Sequence, residues 1–331
     1  MFLMRPRVTV GWNCNTRTRS FVQEVNRDGW IMGMTEAELS TFDKDGALVI
    51  DSPFTTDQLD RWEKMWDRSV EQPTEVGIVD PDFLDFLQQP YFEAVAKQCL
   101  RADAVHLCGG PGCQNRDPEP PPYRDDQAQW VWGAHVDLQA TLENFDATPR
   151  QIRLDLWFWV NDVPENRGAM RVLPGSHRPI MEHWSRVLTA EHRAELPRVH
   201  GVWPAPREAC GSYPEYIPDL VATPWLEQEP VPVVARRGQM LVANQCGLHS
   251  AWQNRLDTTR KAIVLPWVAK GVRLGMPPNQ FDDLTGEFSL LRAALPAECT
   301  RLAPDPKAWS FTSPYVGNWP ELFMPGFDSG A

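Results

Sequence analysis

Two residues two positions apart, His135 and Asp137, stand in the run Trp132-Gly133-Ala134-His135-Val136-Asp137. In an extended strand such a pair projects from one face. An imidazole nitrogen and a carboxylate oxygen are then offered to a single point. A third ligand from a distant strand completes one triangular face of an octahedron and leaves the opposite positions open for co-substrate and dioxygen. Two histidines and one carboxylate in this arrangement form the facial triad of non-haem Fe(II) oxygenases. The His-x-Asp pair alone is a weak signal, because a chain of 331 residues readily holds one by chance.

A second block adds weight. Gly238-Gln239-Met240-Leu241-Val242-Ala243-Asn244 reads as a turn and a strand, followed by Gly247-Leu248-His249-Ser250-Ala251. Eleven residues after His249 stands Arg260, at the head of the apolar strand Lys261-Ala262-Ile263-Val264-Leu265. A guanidinium there calls for an anionic partner, since an unpaired buried charge is costly. Its planar fork suits a carboxylate held in bidentate fashion.

The elements that must position these groups are mostly strands. Ala104–Cys108, Ala128–Ala134, Ile152–Val160, Ala169–Leu173, Val231–Val234, Gln239–Ala243 and Lys261–Val268 carry strand signals. Along Ile152–Val160 the residues Leu154, Leu156 and Phe158 alternate with Arg153, Asp155, Trp157 and Trp159, so the two sets face opposite ways. Strands this frequent, in a chain with 31 prolines and 21 glycines, predict a β-sandwich or barrel. Ahead of them, TEAELSTF from about Met34 precedes the strand-like Ala47-Leu48-Val49-Ile50. Thr56 is a plausible cap for a helix with Leu59, Trp62, Trp66 and Val70 on one face, and a second helix is expected over Pro81–Leu100. Residues 1–34 read as a flexible tail, and 35–331 as a single domain with loop insertions near 108–126 and 203–232, both rich in proline.

Composition narrows the partners. A formal net charge of -12 and the lack of a basic stripe argue against nucleic acid and anionic membranes. No run of about 18 apolar residues is present, so no membrane span is expected. Seven cysteines with no CxxC pair fit reduced thiols in a cytoplasmic protein. A small molecule is the expected substrate.

The blocks together resemble a known family. His135-x-Asp137, then Asn166-Arg167-Gly168-Ala169-Met170-Arg171-Val172-Leu173-Pro174-Gly175-Ser176-His177-Arg178, then His249 and Arg260, look like the phytanoyl-CoA dioxygenase family. Phe42-Asp43-Lys44-Asp45-Gly46-Ala47-Leu48-Val49-Ile50 resembles that family's opening. The resemblance implies a mainly β, double-stranded β-helix (jelly-roll, cupin-like) core with flanking N-terminal helices. It also implies Fe(II), 2-oxoglutarate and O2 as cofactor and co-substrates, with release of succinate and CO2. Carried over by position, His135, Asp137 and His249 are the metal ligands and Arg260 pairs with the far carboxylate of 2-oxoglutarate. Trp157 falls where relatives line the co-substrate pocket, and Gln129 lies within reach from the preceding strand. One departure concerns a serine that relatives carry two residues after the distal histidine. That position is Ala251 here, and the hydroxyl stands at Ser250 instead. The retained Asp137 favours hydroxylation of a C–H bond, or another oxidation starting from hydrogen abstraction, over halogenation, which in relatives accompanies loss of the carboxylate.

Plainer readings stand beside these. Arg260 can serve a structural ion pair, Gln129 a structural bond, and His177 a turn rather than a metal. His106, His183, His192 and His200 show no partner pattern and read as solvated or helix-surface groups. A non-catalytic jelly-roll binding protein, or a metal-dependent hydrolase or isomerase on the same scaffold, is the alternative function. Succinate formation separates the first, and independence from Arg260 and oxygen the second.

Overall fold

In the computed structural model the described residues are 33–126, 130, 134, 153–178, 228–271 and 278–305. Thr35 opens helix α1 (Glu36–Asp45) with a capping box to Glu38, and Gly46 ends it in the left-handed region at φ 75°. Strand β1 (Ala47–Asp51) follows directly. Helix α2 (Thr56–Val70) is capped by Thr55 rather than Thr56, because Gln58 then completes the reciprocal box. It buries Trp62, Met65 and Trp66, while Val70 at its end is exposed. After the short α3 (Thr74–Gly77), the single helix expected over Pro81–Leu100 is two, α4 (Pro81–Leu87) and α5 (Pro90–Leu100). Pro90 lacks the N–H that a continuous helix needs, and it holds Gln89 extended.

The remaining strands are β2 (Val105–Leu107), β3 (Gly112–Arg116), β4 (Arg153–Trp159), β5 (Arg171–Val172), β6 (Val231–Pro232), β7 (Gln239–Asn244), β8 (His249–Ser250) and β9 (Arg260–Ala269). They form two antiparallel sheets. The larger has the order β1-β7-β4-β9-β2, with β3 also paired to β9, and the smaller is β6-β5-β8. From β4 onward the chain passes between the sheets, β4 and β7 and β9 in the larger, β5, β6 and β8 in the smaller. This is the double-stranded β-helix path that the family resemblance implied.

Alternation along β4 divides the core. Leu154, Leu156 and Phe158 join Ile263, Leu265 and the helical Trp62, Phe86 and Phe92 in one cluster between helices and sheet. Trp159 and the partly buried Trp157 lie in the other, with Val172, Leu241, Ala243 and Ala262, between the two sheets. The tryptophan face of β4 therefore lines the inside of the sandwich. Helix α6 (Pro278–Ala294) adds Leu284, Phe288 and Leu291 to the helix-side cluster, and a 3-10 turn (Ala297–Leu302) follows.

Two stretches depart from the sequence reading. Within the proline-rich segment near 108–126, residues Gly112–Arg116 are a strand, fixed by pairing with β9 rather than by any strand propensity of Gly-Cys-Gln-Asn-Arg. Where a strand was expected over Ala128–Ala134, the described positions show a helical turn, the Ala134 N–H donating to Trp130 O at 2.8 Å. Residues 1–32 and 203–227 lie outside the described residues. Five cysteines are described, Cys99, Cys108, Cys113, Cys246 and Cys299, and each is free. No described helix is long and apolar enough to cross a membrane.

Candidate active site

β8 places His249 opposite Val172 of β5, and Val172 belongs to the cluster between the sheets. His249 therefore faces inward, and it is 9% exposed. Its Nδ1 lies 3.0 Å from Gly247 O. A carbonyl oxygen only accepts, so Nδ1 carries the proton and Nε2 keeps its lone pair, as a metal ligand requires. The Pro174-Gly175-Ser176-His177 turn sets this strand. Ser176 Oγ accepts from the Leu248 N–H at 2.9 Å and donates to Leu173 O at 2.7 Å, while Leu173 N–H donates to Leu248 O at 2.9 Å. His177 serves structure, with Nε2 at 3.2 Å from Asp43 O and its ring packed over Gly46.

His135, Asp137 and Gln129 lie outside the described residues. Ser250 is not brought to the inner face: it pairs with Arg171, and its hydroxyl donates to Ala251 O at 3.1 Å. Alternation dictates this, since the residue next to an inward His249 must point outward.

Arg260 does face inward. It is 3% exposed, and its Nη1 donates to Gly168 O at 2.6 Å. Its guanidinium carbon lies 5.3 Å from the Trp159 ring centroid and 5.9 Å from that of Trp157. No carboxylate pairs with it among the described residues. Burial, and then the charge of Arg116, push its pKa down to about 10, so it remains cationic at neutral pH. Arg260 Nε and the indole N–H groups of Trp157 and Trp159 are all buried without an acceptor among the described residues. Buried donors are normally paired, so three orphans around one guanidinium mark a place for an acceptor-rich ligand. A carboxylate meets that need.

Residues without a motif of their own hold Arg260 there. Asn161 brackets it, donating from Nδ2 to Thr259 O at 2.9 Å and accepting from Lys261 N–H at 3.0 Å. Asn254, fully buried, donates from Nδ2 to Arg116 O and to Thr258 O, both at 2.8 Å. Gly168 sits at φ 60°, where a Cβ would meet Arg116 Cγ at 2.7 Å and Trp252 O at 3.2 Å. Gly168→Ala is expected to cost about 2–3 kcal/mol of stability, from the left-handed backbone and the crowding together. It should also weaken whatever anion Arg260 binds, because the carbonyl that orients the guanidinium moves; calorimetric titration with 2-oxoglutarate beside a denaturation curve checks both.

The inner face carries further polar groups beyond Trp157. Arg153 and Asp155 form a two-point ion pair, Nε–Oδ1 at 3.0 Å and Nη2–Oδ2 at 3.1 Å, with side chains 15% and 4% exposed. Asp155 stands beside Ala243 and Pro266 in register. Ala243 in turn lines a cleft with Gly46, Ala47, Val172, Gln245 and His249. Gln245 is 2% exposed, and its side-chain oxygen has no hydrogen-bond partner among the described residues. His106, read as a solvated or helix-surface group, is instead buried on β2 with Nδ1 at 2.8 Å from Leu107 O, and burial lowers its pKa. Its place in the edge strand β2, paired across to Val268, explains the difference.

The family model described as phytanoyl-CoA dioxygenase matches residues 65–262, more than half of the chain and through Arg260. No curated protein matches the chain in sequence. Among solved structures, it resembles SnoK, a non-heme alpha ketoglutarate dependent carbocyclase from nogalamycin biosynthesis, at 15% identity and a TM-score of 0.49, over 73% of this chain and 86% of that one. It also resembles HygX from Streptomyces hygroscopicus, with nickel and 2-oxoglutarate bound, at 13% identity and a TM-score of 0.48, over 75% of this chain and 91% of that one. The sequence match carries the assignment: the chain belongs to the phytanoyl-CoA dioxygenase family of Fe(II)- and 2-oxoglutarate-dependent oxygenases.

Proposed function

We propose that the chain hydroxylates a C–H bond of a small polar metabolite, using 2-oxoglutarate and O2 at an Fe(II) centre held by His135, Asp137 and His249. The observation that carries this reading is the set of orphaned donors around Arg260, which fits the far carboxylate of 2-oxoglutarate. Fe(II), when bound, supplies activation of dioxygen coupled to decarboxylation of the co-substrate to succinate and CO2. The chain's own part is positioning and exclusion of water. Arg260 fixes one end of the co-substrate by charge and direction, and Trp157 and Trp159 wall that end with apolar surface. Gly247 O sets the tautomer of His249, so Nε2 is available to the metal without a competing proton. Asp137 keeps a carboxylate in the ligand set, which supports hydroxylation over halogenation.

Polar groups at the His249 cleft support a polar substrate. An acyl chain gains nothing from the buried Gln245, whereas a hydroxyl, amide or ammonium group can donate to its side-chain oxygen, which has no partner among the described residues. Two experiments test the reading. Anaerobic addition of Fe(II) and 2-oxoglutarate should give the weak visible charge-transfer band of such sites, and oxygen should then yield succinate. Both should vanish in His135→Ala. Folded wild-type protein that shows neither signal rules the proposal out, and a product lacking one added oxygen atom from labelled O2 rules out hydroxylation.

A further inference from the structure

Arg260 is not the only guanidinium on its part of the inner face. β3 pairs with β9 so that Arg116 stands directly opposite Arg260. Residues opposed in an antiparallel pair share a face, so the two side chains leave the sheet on the same side. Arg116 is anchored at several points. Its Nε donates to Trp252 O at 2.9 Å, its carbonyl accepts from Asn254 Nδ2 at 2.8 Å, and its Nη2 pairs with Glu119 at 2.5 Å. Its Cγ packs against Gly168, whose carbonyl receives Arg260 Nη1.

Among the described residues the charges around this point do not cancel. Two guanidinium groups face one described carboxylate, that of Glu119, whose side chain is 31% exposed. Arg260 is deeply buried with no carboxylate of its own among the described residues. Like charges held this close disfavour one another, and burial strengthens the effect. Such an excess persists in a fold when an anion is to be bound there. Ala251, which follows β8, carries no hydroxyl, and Ser250 faces outward.

We propose that Arg116 is a positioning residue for the co-substrate: it buttresses Gly168 against Arg260 and adds the second positive charge that selects a dicarboxylic 2-oxo acid. This rests on the reading of Arg260 as the residue that holds 2-oxoglutarate. Glu119 then acts as a partial brake, lowering the local potential that the far carboxylate meets.

The test is anaerobic calorimetric titration of the Fe(II)-loaded protein with 2-oxoglutarate, and with 2-oxobutyrate, which lacks the far carboxylate. Arg116→Gln should weaken 2-oxoglutarate about tenfold, through the lost charge, and leave 2-oxobutyrate unchanged. Glu119→Gln should tighten 2-oxoglutarate by about two- to fivefold, since the opposing charge is gone. A purely structural role for the Arg116–Glu119 pair predicts weakening by both substitutions, or by neither. Unchanged or weaker binding in Glu119→Gln overturns the inference, and that variant decides alone if Arg116→Gln does not fold. Arg260→Gln serves as the control. If it binds 2-oxoglutarate like wild type, the co-substrate reading itself fails. If it loses binding while the other two variants behave as wild type, only the role of Arg116 is lost.

Discussion

Arg260→Met is expected to abolish the thermal shift produced by 2-oxoglutarate while leaving the ligand-free protein as stable as wild type or more so. The two effects have opposite signs for one reason. In the ligand-free protein Arg260 is a buried charge whose only hydrogen bond, among the described residues, is to Gly168 O. Replacing buried charge by packed apolar atoms recovers about 1–4 kcal/mol in comparable cases, and orphaning the Gly168 carbonyl returns about 1–3 kcal/mol. Methionine matches the length of the stem, and its sulfur suits the indole rings of Trp157 and Trp159. With ligand the balance reverses. Losing a charge-assisted bidentate contact costs about 2–5 kcal/mol, which is roughly 30-fold or more in affinity. Scanning calorimetry with and without 2-oxoglutarate reads both numbers. A ligand-free variant that loses several kcal/mol would show that the guanidinium is a structural cation instead.

The same residue gives a pH signature. Its pKa in the folded protein, about 10, lies below the ordinary arginine range, first because of burial and then because of Arg116. The unfolded chain therefore binds more protons above that value, and stability rises with pH there. The destabilisation is fully present below about pH 10, where the group is charged in both states, and is relieved as pH climbs through the folded value. Arg260→Met should lose that rise.

Much of this site was legible in the sequence because it obeys simple periods. The division of β4 into two faces, Trp157 and Trp159 on one and Leu156 and Phe158 on the other, follows from alternation alone, while packing decides which of them lines the inside of the sandwich. Arg260 at the head of an apolar strand announced a charge with no local partner. What stayed hidden depends on contacts between distant segments. Strand β3 has little propensity of its own and exists because β9 offers a free edge. Gly168 looks like any turn glycine until Arg116 and Trp252 close around it. Gln245 is one amide among many in the sequence, and only burial beside His249 singles it out. Ser250 went the other way: its nearness in sequence to His249 suggested a shared site, yet adjacency in a strand puts it on the opposite face.

The proposed metal site offers the other large effect, and the geometry of His249 makes it specific to one atom. Because Nδ1 is committed to Gly247 O, only Nε2 can bind a metal. Glutamine places its terminal amide near the Nε2 position, and alanine places nothing there. His249→Ala is therefore expected to lower Fe(II) affinity by more than about 100-fold, beyond what outer contacts are worth, and to stop 2-oxoglutarate turnover. His249→Gln should retain weak metal binding, since an amide oxygen remains a poor ligand at the same point. Ser176→Ala tests the layer behind. It removes the acceptor for Leu248 N–H that fixes the strand just before His249, so affinity should fall about tenfold with the ligands themselves intact. Anaerobic metal titration of the folded variants measures all three. The ranking alanine, glutamine, serine variant, wild type is what a ligand held through Nε2 requires; equal binding in His249→Ala and wild type would remove His249 from the metal site.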